Sequence, residues 1–215
     1  MVKLRLDRAA GSLWRGGRRF DVRARAWEEV VGGPAPEPPG EPVSVLDAVT
    51  WLQRDSGHRC RVPVGVIGAR DASAPQIAAA EWLGELLGGL CLSVICGGRQ
   101  GVMEGVCRGV ERAGGLSVGL LPEADPALAN PHVTVPIATG IGVARNAVIA
   151  RAALALIAIG GGHGTTSEVA FGLQFGVPVF GLLDAPALIG LRVCTGPESA
   201  VERTARVVLG LPLDD

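Results

Sequence analysis

One glycine-rich segment has residue types and spacing that point directly to chemistry. It reads Gly160-Gly161-Gly162-His163-Gly164-Thr165-Thr166-Ser167-Glu168 and follows the apolar run 152–159. That run predicts a buried strand of a parallel sheet, and residues 169–175 predict a helix. The N–H groups at a helix start lack partners and favour an anion, and glycine lets a phosphate approach them closely. The segment therefore predicts a phosphate site at a strand-to-helix turn.

A purely structural interpretation fits the same residues. Thr165-x-x-Glu168 matches a capping box, in which Glu168 would fold back onto the helix start. Glycines also serve any tight turn between a strand and a helix. We favour the phosphate site and keep the capped helix as the alternative, because a motif becomes a site only in the right structural context.

Two further glycine turns follow predicted strands. Gly68 ends the strand predicted over 62–67, and Gly97-Gly98-Arg99-Gln100-Gly101 joins a strand to a helix that runs to about Ala113. Right-handed crossovers place the carboxyl ends of all parallel strands at one edge of the sheet. Because ligands of open α/β sheets bind at that edge, the three turns together predict one binding site.

The charged residues expected in this site are Arg145 and Glu168. Arginine pairs with phosphate, and a carboxylate can hold ribose hydroxyls or stabilise an oxocarbenium-like centre. An arginine at the start of a helix can equally be a surface or capping residue. Arg99 and Glu104 beside the second turn are more often solvated helix-start residues, and Met103 is most simply core packing.

Several classes of site are excluded by what the sequence lacks. No Gly-Lys-Ser/Thr is present, and Lys3 is the only lysine, which argues against P-loop ATPases and pyridoxal phosphate enzymes. The glycine spacing also differs from the dinucleotide fingerprint, so NAD is not expected. The three histidines lack metal-ligand spacing. We therefore expect no metal and no resident cofactor.

Charge and composition indicate an ordinary globular protein. The 215 residues are 48% hydrophobic with a net charge of −1, but residues 1–25 carry +6 and the remainder −7. The arginines of that segment alternate with apolar residues, which favours a solvated hairpin over a nucleic-acid arm. The five cysteines are odd in number, and no signal peptide or long apolar run is evident. We expect a cytoplasmic protein with no membrane or nucleic-acid partner.

Alternating strands and helices predict the fold. We expect an α/β, Rossmann-like open parallel sheet with helices on both faces, plus a small N-terminal β-hairpin extension. The hairpin is predicted over 13–20, about a Gly-Gly turn, and the proline-rich segment 32–42 is predicted to be a linker. Ser44 is predicted to cap a short helix. The expected domains are therefore 1–42, extension and linker, and 43–215, a phosphate-binding domain.

These motifs resemble the Lonely-guy, or "lysine decarboxylase-like", superfamily over about residues 62–209. The residues that carry the resemblance are Val64–Gly68, Cys96–Glu104, Gly142–Asn146 and Gly160–Glu168. Its bacterial branch related to molybdenum cofactor carriers and to the DNA-processing protein A fold is the most similar. The resemblance implies a Rossmann-like sheet and a homodimer or larger homo-oligomer. It also implies a small phosphorylated ligand, a nucleoside monophosphate or a pterin.

The resemblance also implies roles for single residues. Arg145 and Glu168 match a catalytic pair that releases the free base from nucleoside 5′-monophosphates. The other matched positions imply a phosphate or nucleotide site of Gly68, Gly97, Gly98, Arg99, Gly101, Met103, Glu104, Gly161, Gly162, His163, Gly164 and Thr165. Gly160 replaces the family's proline and Asn146 its lysine, which places the chain nearer the carrier branch. We expect N-glycosidic hydrolysis, with a non-catalytic carrier or sensor as the alternative.

Overall fold

The computed structural model describes residues 3–30 and 38–213. Contacts within it define two compact units. The first combines residues up to 60 with those from 205 onward, and the second spans 61–204. Among the described residues, no helix combines the length and the apolar character that a membrane crossing requires.

The first unit contains an antiparallel sheet and one helix. Its strands are β1 (Leu4–Asp7), β2 (Ser12–Arg15), β3 (Arg18–Asp21), β4 (Ala26–Glu29) and β5 (Glu41–Val43), followed by α1 (Val45–Arg54). The sheet order is β4-β3-β2-β1-β5. Trp14 pairs with Arg19 and Arg15 with Arg18, which confirms the predicted hairpin as part of a larger sheet.

The last two residues of the proline-rich segment, Glu41 and Pro42, belong to strand β5. Residues 31–37 lie outside the described residues, so the linker prediction there is untested. Pro42 lies in β5, which pairs with β1 at the edge of the sheet. An edge strand tolerates proline because one of its sides donates no ladder hydrogen bonds. Residues 43–60 group with this unit, whereas the sequence placed them in the main domain.

The second unit alternates strands with helices. In chain order they are β6 (Val64–Gly68), α2 (Ala74–Gly89), β7 (Val94–Cys96), α3 (Val102–Arg112), β8 (Ser117–Leu121), β9 (Val135–Ala138), α4 (Arg145–Ala152), β10 (Leu156–Ile159), α5 (His163–Gln174), β11 (Val179–Leu182), β12 (Arg192–Val193) and the start of α6 (Pro197–Val208). Short 3-10 turns cover Pro126–Leu128 and Gly142–Ala144.

All seven strands of this unit form one parallel sheet, in the order β12-β11-β10-β6-β7-β8-β9. β10 is buried at every position, as its continuous apolar sequence predicts for a strand covered on both faces. α2 packs with α3 and α4 with α5. The strand order reverses direction between β6 and β10, so right-handed crossovers place the two helix pairs on opposite faces. The predicted Rossmann-like fold is confirmed.

Candidate functional site

A cleft of about 630 Å³ opens at the carboxyl ends of β6 and β10, where the strand order reverses. A reversal of this kind leaves a crevice between diverging loops, and open α/β sheets bind ligands there. Ten of the residues predicted from the sequence line the cleft: Gly68, Gly97, Arg99, Met103, Arg145, Gly161, Gly162, Gly164, Thr165 and Glu168. Further lining residues were not predicted as site residues: Ile67, Ala69, Arg70, Asp71, Gln76, Pro122, Glu123, Val143 and Asn146.

The glycine segment forms an uncapped helix start. α5 begins at His163 after Gly162, and no side chain caps it. Gly160 and Gly161 have φ values of +54° and +124°, which glycine adopts at little cost. The first N–H groups of α5 therefore lack side-chain partners at an edge of the cleft, an arrangement suited to an anion.

The capping-box alternative is wrong. Thr165 is the third residue of α5 rather than its cap, so the spacing to Glu168 cannot form the box. The Glu168 carboxylate instead accepts a hydrogen bond from Arg145, with 2.9 Å between Nη1 and Oε1. The Glu168 side chain, which the capping motif would place at the helix start, is therefore bound to Arg145 instead.

Arg145 and Glu168 form a buried ion pair in the wall of the cleft. Their side chains are 10% and 8% exposed, so Arg145 is not a surface arginine. Arg145 also donates to the Asn146 side chain, and Asn146 Nδ2 donates to Ser167 Oγ at 2.9 Å. Asn146 thus connects the start of α4 to the first turns of α5, in the position where the resembling family has lysine.

Burial dominates the ionisation of Glu168. Desolvation raises the pKa of this carboxyl to about 7, although the charge of Arg145 and its hydrogen bond both act to lower it. Within the described residues, Arg145 Nε has no hydrogen-bond partner and is buried. Arg145 therefore keeps one unused N–H donor beside the cleft. The Glu168 carboxyl gains or loses its proton near neutral pH.

The second glycine turn leaves room for the Arg145 side chain. A Cβ at Gly97 would lie 2.5 Å from Arg145 Nη2 and 2.7 Å from Met103 Sδ. Met103 is 8% exposed and lines the cleft, so it belongs to both the core and the site wall. Only a glycine permits this close approach of the backbone to the guanidinium group.

Arg99 and Glu123 lie at the side of the cleft formed after β7 and β8. Arg99 Nη1 lies 3.2 Å from Glu123 Oε1 and 3.1 Å from the Leu128 carbonyl oxygen. Arg99 is therefore held in an ion pair rather than solvated at a helix start. Glu123 follows the carboxyl end of β8, and the edge rule applied to that strand would have indicated it.

Four predicted site residues do not line the cleft. Gly98 is buried with φ +67° against Gly119, and Gly101 precedes α3 with φ +72°. Glu104 forms an ion pair with Arg108 at 2.8 Å, and His163 is exposed. The two glycines shape the turn, and Glu104 points its charge along α3. Their proposed ligand contacts stay predictions.

The chemistry available in the cleft is anion binding beside a buried carboxyl. Within the described part of the chain, no group of three or more histidine, cysteine, aspartate or glutamate residues is arranged to hold a metal ion. The donors are backbone N–H groups, the Thr165 hydroxyl and arginine. These groups bind phosphate without a metal.

Comparison with known proteins identifies a family and several similar chains. A family model described as the SLOG cluster4 family matches residues 61–204. A protein of Archaeoglobus fulgidus is 40% identical over 138 residues, covering 64% of this chain and 91% of that protein. The solved molybdenum cofactor binding protein of Rippkaea orientalis is 32% identical, with a TM-score of 0.62, over 66% of this chain and 94% of that one.

Two further solved structures extend the comparison. The Moco carrier protein of Chlamydomonas reinhardtii is 29% identical with a TM-score of 0.62, over 70% of this chain and all of that one. DNA processing protein A of Streptococcus pneumoniae is 15% identical with a TM-score of 0.52, over 65% of this chain and 60% of that one. The second likeness concerns the fold alone.

Proposed function

The chain belongs to the SLOG cluster4 family, as the sequence resemblance predicted, and we propose that its cleft binds a small phosphorylated ligand of pterin or nucleotide type. The observation that carries the proposal is the uncapped start of α5, which opens into a cleft of about 630 Å³ at the reversal point of the sheet. A phosphate placed there accepts from the first N–H groups of the helix and is favoured by the helix dipole.

Two relatives support a pterin in particular. The Rippkaea and Chlamydomonas proteins, named for molybdenum cofactor binding and carriage, share about 30% of their residues with this chain over nearly their whole length. We infer that this chain binds the same class of ligand, a phosphorylated pterin, as a carrier. Asn146 is consistent with this role. It stands where the resembling family has lysine, and its side chain forms a structural bridge to Ser167.

Hydrolysis of a nucleoside 5′-monophosphate is the second candidate. It is favoured by the presence of both Arg145 and Glu168 in the wall of the cleft, with 2.9 Å between Arg145 Nη1 and Glu168 Oε1. An ionised Glu168 beside the sugar would stabilise positive charge at the carbon whose bond to the base breaks. The pKa near 7 leaves about half of the carboxyl groups ionised at neutral pH.

One experiment separates the two candidates. The protein is purified without oxygen from a host that makes molybdenum cofactor, and bound pterin is measured by fluorescence after denaturation and oxidation. Separately, AMP, GMP, CMP and UMP are tested for binding by calorimetry and for release of free base by chromatography. Co-purified pterin without base release supports the carrier, and base release that Glu168→Gln abolishes supports the hydrolase. Absence of pterin together with no nucleotide binding contradicts the proposal.

A further inference from the structure

Arg70 differs from the other arginines of the cleft. Arg145 is paired with Glu168 and Arg99 with Glu123. Arg70 also lines the cleft and is exposed, and its side chain makes no hydrogen bond or ion pair in the described structure. Among the described residues, it is thus the cleft arginine whose side-chain donors are all free for a ligand.

The backbone that carries Arg70 is nevertheless fixed. Ala69 N donates to the Ile159 carbonyl at 3.3 Å, and the Ala69 carbonyl accepts from Val102 N at 3.0 Å. Gly101 lies so close to the carbonyl groups of Ala69 and Arg70 that a Cβ there would overlap them. A fixed backbone with a free charged side chain is the arrangement that lowers the entropic cost of holding a ligand.

The position of Arg70 places it beside the proposed phosphate site. Gly68, at the end of β6, is in register with Ile159, at the end of β10. The loop that carries Arg70 and the glycine turn before α5 therefore leave the same edge of the sheet, one strand spacing of about 4.8 Å apart. Both line the same cleft.

We propose that Arg70 is a phosphate-binding residue, which contacts the phosphate of the ligand together with the start of α5. This inference rests on the proposed function. Asp71 also lines the cleft, so the loop carries no net charge, and recognition depends on the paired N–H donors of the guanidinium group. The ligand class is a phosphate monoester, since the helix start and the arginine both contact the anion.

The test compares phosphorylated and unphosphorylated probes on three variants. Calorimetry measures the affinities of AMP, GMP, adenosine and guanosine for the wild type, Arg70→Gln and Arg70→Lys. Arg192→Gln is the matched control, because it removes one exposed positive charge on β12, outside the cleft lining. Circular dichroism confirms that each variant is folded.

Loss of one charge-assisted contact should weaken the binding of the phosphorylated probes by about 10- to 100-fold in Arg70→Gln. The affinities of Arg70→Gln for the nucleosides should stay within about twofold of wild type. Arg192→Gln should bind every probe within about twofold of wild type, and Arg70→Lys should recover part of the loss. Equal affinity of wild type and Arg70→Gln for AMP and GMP overturns the role of Arg70 and leaves the proposed function standing. If the wild type binds neither nucleotide more tightly than its nucleoside, the role of Arg70 is overturned, and the proposed function fails as well if no pterin co-purifies with the protein.

Discussion

Glu168 should make the stability of the protein depend on pH in an unusual direction. Its pKa in the folded protein is about 7, above the usual value of 4.5, so between these values the folded state binds more protons than the unfolded state. Stability from this group is therefore fully present below pH 4.5 and is lost as the pH rises through 7. The slope cannot exceed about 1.4 kcal/mol per pH unit for one proton.

Urea unfolding of wild type and Glu168→Gln at pH 5, 6, 7 and 8 checks this prediction. Glutamine does not titrate, so the free energy of unfolding of the wild type should fall relative to that of the variant as the pH rises. If the free energy of unfolding of the wild type stays constant or rises relative to that of Glu168→Gln as the pH rises, Arg145 keeps Glu168 ionised throughout, which contradicts the prediction.

Gly97 should be essential to the site but not to the fold. In Gly97→Ala the new methyl group would meet the Arg145 guanidinium and Met103, so Arg145 must move. We expect at least a tenfold loss of affinity for the pterin or nucleotide that the wild type binds, measured by calorimetry. Gly89→Ala is the control, since a Cβ at Gly89 meets no atom within 4 Å. Equal losses in both variants would contradict a specific role for Gly97.

At the scale of single residues, the sequence predicted those that lie in a glycine motif or match the family signature. Arg145 and Glu168 belong to this group, and the structure places both in the cleft. Arg70 and Gln76 lie outside those motifs, because their presence in the cleft depends on which strands are neighbours. That order is a property of the sheet and does not appear in any short stretch of sequence.

Among the elements, the first helix offers a direct test of predicted capping. Ser44 Oγ accepts from Asp47 N at 3.0 Å, and Asp47 Oδ2 accepts from Ser44 N at 3.2 Å. Ser44→Ala should therefore lower the free energy of unfolding by about 1 kcal/mol, measured in urea, because the Asp47 backbone N–H loses its partner. Ser44→Thr should keep most of that stability. No difference between the two variants would contradict the capping role.

Element prediction succeeded where an apolar run ended at a glycine, as in β6, β7 and β10. β12 was missed, because its two residues are both exposed and carry no pattern. α5 begins at His163, six residues before the apolar helical pattern begins at Val169. Its first turn is polar because it faces the cleft, so the hydrophobic pattern could not reveal it.

The whole molecule is predicted to self-associate. The family resemblance implies it, and several large apolar side chains remain exposed on the second unit, including Val143 at 81% and Val193 at 78%. Sedimentation at micromolar concentration should give a mass that is a multiple of the 22.0 kDa subunit. A single species of subunit mass would contradict this prediction.

The central claim is that the start of α5 binds the phosphate of the ligand, and Gly162→Ala tests it most directly. A Cβ at Gly162 would meet no protein atom within 4 Å, and its φ of −118° lies outside the left-handed region, so the variant should fold, which circular dichroism checks. The methyl group would then occupy open space at the helix start, where the phosphate is proposed to lie. Calorimetry with AMP and GMP, and with the matching nucleosides, should show at least a tenfold loss that is confined to the phosphorylated ligands. Unchanged affinity of a folded Gly162→Ala protein for every ligand that the wild type binds would contradict the assignment of this turn as the phosphate site.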